Sequence, residues 1–248
     1  MNQLDFQAAI AKFSSKTCAL GFVAIIGLSL FGESPLAYAN ANFELGDTAE
    51  AQRQLNFRVF LDDNEIGQHK VTITPEKTGK RVTVDAKFDV KILFFNAFSY
   101  RHTAEEQWQG DCLKRISTET IENGDRFFVR SKAIDSGLKI DSHRGEAKLT
   151  GCVRSFAYWD VQRLQAEKLL NSQTGRHVAA NLTQTGPSSI EIDGMQVPAN
   201  RYELAAEDAT ISLWYGADNQ WLGLKTVLQG GRTLTYLRNA EEVSLKSL

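Results

Sequence analysis

Lys80-Arg81-Val82-Thr83-Val84-Asp85-Ala86-Lys87-Phe88-Asp89-Val90-Lys91-Ile92 is the stretch that decides the fold. Val82, Val84, Ala86, Phe88, Val90 and Ile92 alternate with Arg81, Thr83, Asp85, Lys87, Asp89 and Lys91. Period two turns one face of a strand to a core and the other to water, whereas a helix would scatter these charges around its circumference.

The same pattern extends in both directions. Upstream, Leu55, Phe57, Val59 and Leu61 alternate with Asn56, Arg58 and Phe60. Asp62-Asp63-Asn64-Glu65 then turns the chain into Ile66–Thr74, and Pro75 to Gly79 turns it again. Downstream, Asn123-Gly124 separates Leu113–Ile121 from Arg126–Ile134, a hairpin signal because both residues tolerate positive φ. Asp193-Gly194 repeats the device between Ser189–Ile192 and Met195–Leu204. Ala209–Tyr215, Trp221–Gln229 and Arg232–Arg238 complete the series. Turn signals at this spacing predict a mainly β domain, a single antiparallel meander curled into an open barrel or roll. One segment departs from the pattern: between Tyr158 and Leu170, Val161, Leu164 and Lys168 recur at helical spacing, which predicts one short helix near 159–170.

The N-terminus reads as a leader. Lys12 and Lys16 precede an uncharged run from Cys18 to Phe31, shorter than the roughly 20 residues a membrane helix needs. Ala37-Tyr38-Ala39 supplies a small-x-small cleavage pattern, with Ala39-Asn40-Ala41 as a second register. The expectation is a signal peptide over 1–39 and a periplasmic or secreted protein, the alternative being an uncleaved anchor. Cys18 opens the apolar run rather than ending it, which argues against lipidation. The expected organisation continues with a flexible segment at 40–52, a β domain over 53–239 and a C-terminal tail at 240–248. No integral membrane span is expected after cleavage.

Removing 1–39 takes away Lys12, Lys16, Asp5 and Glu33, so the mature chain of 209 residues keeps a formal net charge of −2. That balance argues against nucleic acid, which demands a basic patch. Two cysteines remain, Cys112 and Cys152. In an oxidising compartment a disulfide is expected rather than two buried thiols. Without C-x-x-C spacing its role is stability, on the order of 3–4 kcal/mol for a loop of about 40 residues.

The chain lacks a G-x-S-x-G elbow, H-E-x-x-H, a Walker loop and G-x-G-x-x-G. His69, His102, His143 and His177 are too dispersed to form a metal site by spacing, so neither metal nor cofactor is expected. Asn181-Leu-Thr183 matches a glycosylation sequon, which a bacterial source would leave silent. The richest stretch is Phe98 to Trp108. As a strand it places Phe98, Tyr100, His102, Ala104, Glu106 and Trp108 on one face, with an imidazole and a carboxylate among aromatics. They are candidates for a polar handle in an apolar pocket, for a satisfied core pair, or for acid–base groups. Tyr158, Trp159, Trp214 and Tyr215, with an apolar body and a polar tip, are candidates for the pocket's rim or for plain core.

The order of short motifs carries a resemblance. Ile66-Gly67, Phe98-Ser-Tyr100, Glu106-Gln-Trp108-Gln-Gly110-Asp-Cys-Leu113 and Thr120-Ile-Glu-Asn-Gly124 are followed by Ala157-Tyr-Trp159, Thr174-Gly175, Leu213-Trp-Tyr215 and Trp221-Leu-Gly-Leu-Lys225. The chain thereby resembles uncharacterised bacterial envelope proteins grouped as domains of unknown function 6134 and 3108. The resemblance implies an exported β-rich fold around an apolar interior, similar to periplasmic lipid carriers, and no established reaction or ligand. Three readings follow. The first is a binding or carrier protein for an apolar or amphipathic, lipid-like molecule; the second is an envelope assembly factor acting through a protein partner not identified by the sequence; the third is an enzyme using His102 and Glu106.

Overall fold

The computed structural model describes residues 51–92, 95–207, 209–228 and 230–240. The leader expected over 1–39, with Cys18, therefore lies outside the described residues, as do most of the 40–52 segment and the tail beyond residue 240.

Alternation makes strands here because each inward residue finds a neighbour of the same kind on the next strand. In β3 (Gly79–Ile92), Val82, Ala86 and Phe88 are buried while Arg81, Thr83, Asp85 and Lys87 are exposed. β3 lies between β2 (Asn64–Glu76) and β4 (Phe95–Gln109), with Val84 opposite Val71 and Ala104. β1 (Arg53–Leu61), β5 (Cys112–Glu122), β6 (Asp125–Ile134), β7 (Gly137–Ser142) and β8 (Gly145–Thr150) complete an N-terminal meander. A second runs through β9 (Lys168–Leu170), β10 (His177–Ile192), β11 (Met195–Ala206), β12 (Ala209–Tyr215), β13 (Trp221–Val227) and β14 (Thr233–Arg238). The pairing of β1 with β14 joins the two meanders, Val59 lying opposite Tyr236.

The result is one antiparallel, open sheet of 14 strands, with β8 at one edge and β9 at the other. The turns follow their sequences: Asn123 and Gly124 have φ of 50° and 95°, Asp193 and Gly194 of 48° and 78°, which matches the demand of a two-residue hairpin. The expected helix reduces to a single 3₁₀ turn, Val161–Leu164, capped by the Asp160 carboxylate, which accepts from Gln162 N. The helical period stops there because Leu169 and Leu170 are claimed by β9, which pairs with His177–Ala179.

The segment from Gly151 to Arg176 bridges the two sheet edges, and its apolar side chains run inward. Val153, Trp159, Val161, Leu164, Leu169 and Leu170 are all buried in the main core, beside Phe57, Phe88 and Trp221 of the wall. The Cys112–Cys152 disulfide, with a Cα–Cα distance of 4.9 Å, fastens the start of this connector to β5, and Leu113 N donates to Val153 O just beyond it.

Candidate functional site

Among the described residues, two hollows are clearly more apolar than polar. The first is the interior. Phe98, Tyr100, His102, Ala104, Glu106 and Trp108 share the inner face of β4, all buried, and Phe98, Tyr100 and His102 stack along it. The imidazole and the carboxylate do not pair with each other. His102 Nδ1 lies 2.8 Å from Thr120 Oγ1 of β5. Glu106 accepts from Trp108 Nε1 at 2.8 Å and from Ser155 Oγ of the connector at 2.9 Å.

The remaining polar groups of this face also hold the connector. Thr118 Oγ1 donates to Ser172 O, Tyr100 OH donates to Gln173 Oε1, and Tyr215 OH donates to Tyr158 O. The Arg163 guanidinium lies 5.2 and 4.8 Å from the ring centroids of Trp108 and Trp159, which meet edge to face. Its Nη2 donates to Gly110 O. Burial pushes the His102 imidazole well below its ordinary range and raises the Glu106 carboxyl, against the two hydrogen bonds that favour its ionised form.

The space left inside is small. A void of about 50 Å³ lies between the connector and the wall, lined by His69, Val71, Val84, His102, Ala104 and Trp159 among others. Ligand pockets run from roughly 300 to 1,000 Å³, so this void suits a few waters. Enlarging it means expelling the connector. At roughly 1.5–3 kcal/mol for each large apolar side chain, that costs on the order of 10 kcal/mol, comparable with a whole domain's stability.

The second place is outside. β10 and β11 form a hairpin whose pairing shifts at Gln184/Gly186, where Gly186 takes φ of 108°. Beyond this bulge the hairpin tip folds over the outer face of the sheet. Ile190 and Ile192 form a second core with Leu222, against which Trp214, Val197 and Leu237 pack. Gly223 makes the approach possible: a Cβ there would lie 2.4 Å from Ile190 Cδ1. Arg58 of β1 makes an ion pair with Asp193 at the tip.

Between tip and sheet runs a cleft of about 580 Å³. Phe60, Ile190, Trp214, Leu224 and Leu237 supply its apolar lining; Asp62, Asp63, Glu191 and Lys225 supply charge. Trp214 Nε1 is sealed from solvent and has no protein partner, and Arg201 covers the indole at 5.5 Å.

Eight of the nine residues singled out in the sequence (Phe98, Tyr100, His102, Glu106, Trp108, Tyr158, Trp159 and Tyr215) therefore belong to the interior and its connector, and Trp214 alone lines the outer cleft. Phe60, Ile190 and Leu237 were missed. The signal that finds them is an apolar side chain on the wrong phase: Phe60 alternates with Val59 and Leu61, and Leu237 with Tyr236, so both faces of these strands are greasy. Among the described residues no three His, Cys, Asp or Glu side chains cluster to hold a metal, and no helix is long and apolar enough to cross a membrane.

Residues 57–239 match the model of a domain of unknown function, DUF6134. A search of curated proteins finds no match. Among solved structures the chain is similar to a β-barrel-like protein of domain of unknown function DUF1849 from Brucella abortus. That likeness has a TM-score of 0.57 at 11% identity and covers 75% of this chain and 94% of that one, and at that identity it speaks for the fold alone.

Proposed function

We propose, from the premise that the chain belongs to the DUF6134 family, that it is a non-catalytic binding or carrier protein of the bacterial envelope for an apolar or amphipathic, lipid-like ligand, and that this ligand lies in the outer cleft. The observation that carries the reading is the cleft itself, about 580 Å³ of apolar-floored space with the Trp214 indole in its wall. Its size falls in the range of small-molecule sites, and a few polar groups around an apolar floor are how such sites orient a ligand. Burying each methylene of a ligand chain against that floor contributes about 0.8 kcal/mol.

Export is part of the reading. It is supported by the leader-like residues 1–39 and by the Cys112–Cys152 bond, which persists in oxidising compartments. The interior supports a structural role for His102 and Glu106, because each is committed to a neighbour that holds the wall or the connector.

The test is calorimetric titration with decanol, a neutral single-chain amphiphile. Saturable binding is expected, weakened at least about tenfold, or about 1.4 kcal/mol, by Trp214→Ala and unchanged by His69→Phe at the interior void. Absence of binding, or binding indifferent to Trp214→Ala, contradicts the proposal.

A further inference from the structure

The cleft's charges are not balanced, and the imbalance bears on what it holds. Three carboxylates line it, Asp62, Asp63 and Glu191, against one ammonium, Lys225. Asp62 is already committed: it accepts from Arg232 Nε and from Thr233 N, each at 2.8 Å. Glu191 receives only the neutral amide of Gln196, at 3.2 Å. Neither Glu191 nor Asp63 has a cationic partner among the described residues. They come to the cleft from different elements, Asp63 from the β1–β2 turn and Glu191 from the folded-back tip of β10.

We propose that the cleft selects an amphiphile with an ammonium head on an apolar chain, the head lying beside Asp63 and Glu191 and the chain along Phe60, Ile190 and Leu237. The inference rests on the reading above and names the ligand class of the same site. Two carboxylates without a cationic partner beside an apolar floor attract a cation and repel an anionic head, and because both are exposed the effect is screened by salt. Lys225 opposes the selection, and so does Arg58, which lies over the Phe60 ring at 5.3 Å but is shared with Asp193 and Glu65. Rim charges act through selectivity and salt dependence more than through raw affinity.

Three probes of equal chain length separate the terms: decylammonium, decanol and decanoate. At about 0.01 M salt, where the Debye length is roughly 30 Å, decylammonium is expected to bind about tenfold more tightly than decanoate; at about 1 M, where it is roughly 3 Å, the difference collapses. The double variant Asp63→Asn, Glu191→Gln removes the preference of decylammonium over decanoate. Decanoate binding as tightly as decylammonium, or a preference that survives the double variant, overturns the ammonium assignment while leaving the cleft as a binding site. Failure of all three probes overturns the cleft reading beneath it.

Discussion

At the residue scale, the inner face of β4 was legible from period two alone, and every position from Phe98 to Trp108 faces as the alternation requires. What the period could not supply was the partner of each polar group. Glu106 meets Ser155, 49 residues away, and His102 meets Thr120 on the next strand. Such contacts depend on register and on the path of an irregular connector, neither of which a local pattern encodes. Removing Glu106 takes the hydrogen-bond partner from Ser155 Oγ and from the Trp108 N–H, both in the buried interior. Glu106→Ala is therefore expected to destabilise by about 2–4 kcal/mol, measured by urea unfolding, with Ser155→Ala costing less.

His69 gives a pH dependence of defined sign. Its Nδ1 is sealed without a partner, and Phe57, Trp221 and Tyr236 meet the ring edge-on. Burial pushes the imidazole down to about 3. The neutral ring is thus the folded form, and the unfolded chain takes up the proton first. Stability is complete above the unfolded value near 6.5 and falls towards 3 by about 1.4 kcal/mol per pH unit per imidazole. The raised Glu106 carboxyl works the other way, favouring the fold at low pH and losing that contribution as it ionises. Comparing wild type with His69→Phe between about pH 7 and about pH 5 isolates the histidine: the variant is expected to lose less stability on acidification, and an identical loss would rule this origin out.

At the scale of elements, the hairpins with Asn-Gly and Asp-Gly turns were readable because φ at two residues fixes them. The connector was not. Its helical spacing from Val161 to Lys168 is short enough for tertiary burial to override, and Trp159, Leu164 and Leu170 are worth more in the core than a lone helix turn is in water. β8 lacks clean alternation because both of its faces are largely wet, whereas β7 alternates, with Leu138 and Ile140 buried, but over only six residues. Replacing Cys112 and Cys152 by serine should lower stability by about 3–4 kcal/mol and should first loosen residues 151–155 in hydrogen exchange. The folded-back hairpin makes a separate prediction. In Gly223→Ala the new methyl meets Ile190 and the Tyr236 carbonyl oxygen, the latter at 2.8 Å, so the tip must lift. A cost of about 1–3 kcal/mol and weaker decanol binding are expected together, whereas an unperturbed tip would show that the contact is soft.

At the scale of the whole molecule, a sheet that joins its first and last strands and leaves β8 and β9 as edges needs something to fill it, and the chain supplies the filler from its own connector. That is why an apolar lining, correctly expected from the sequence, does not enclose a lipid-sized space, and why the outer face of β12–β14 and β1 carries the apolar surplus. Ligand binding on the outside rather than within is the claim that everything functional here depends on. The four tryptophans report on it separately: Trp108, Trp159 and Trp221 are buried in the core, and Trp214 lines the cleft. Titrating the ¹⁵N-labelled protein with decanol and following the four indole N–H resonances is the most direct measurement. The account predicts that Trp214 shifts while the other three stay in place; movement of Trp159 or Trp221 with Trp214 unchanged would contradict it.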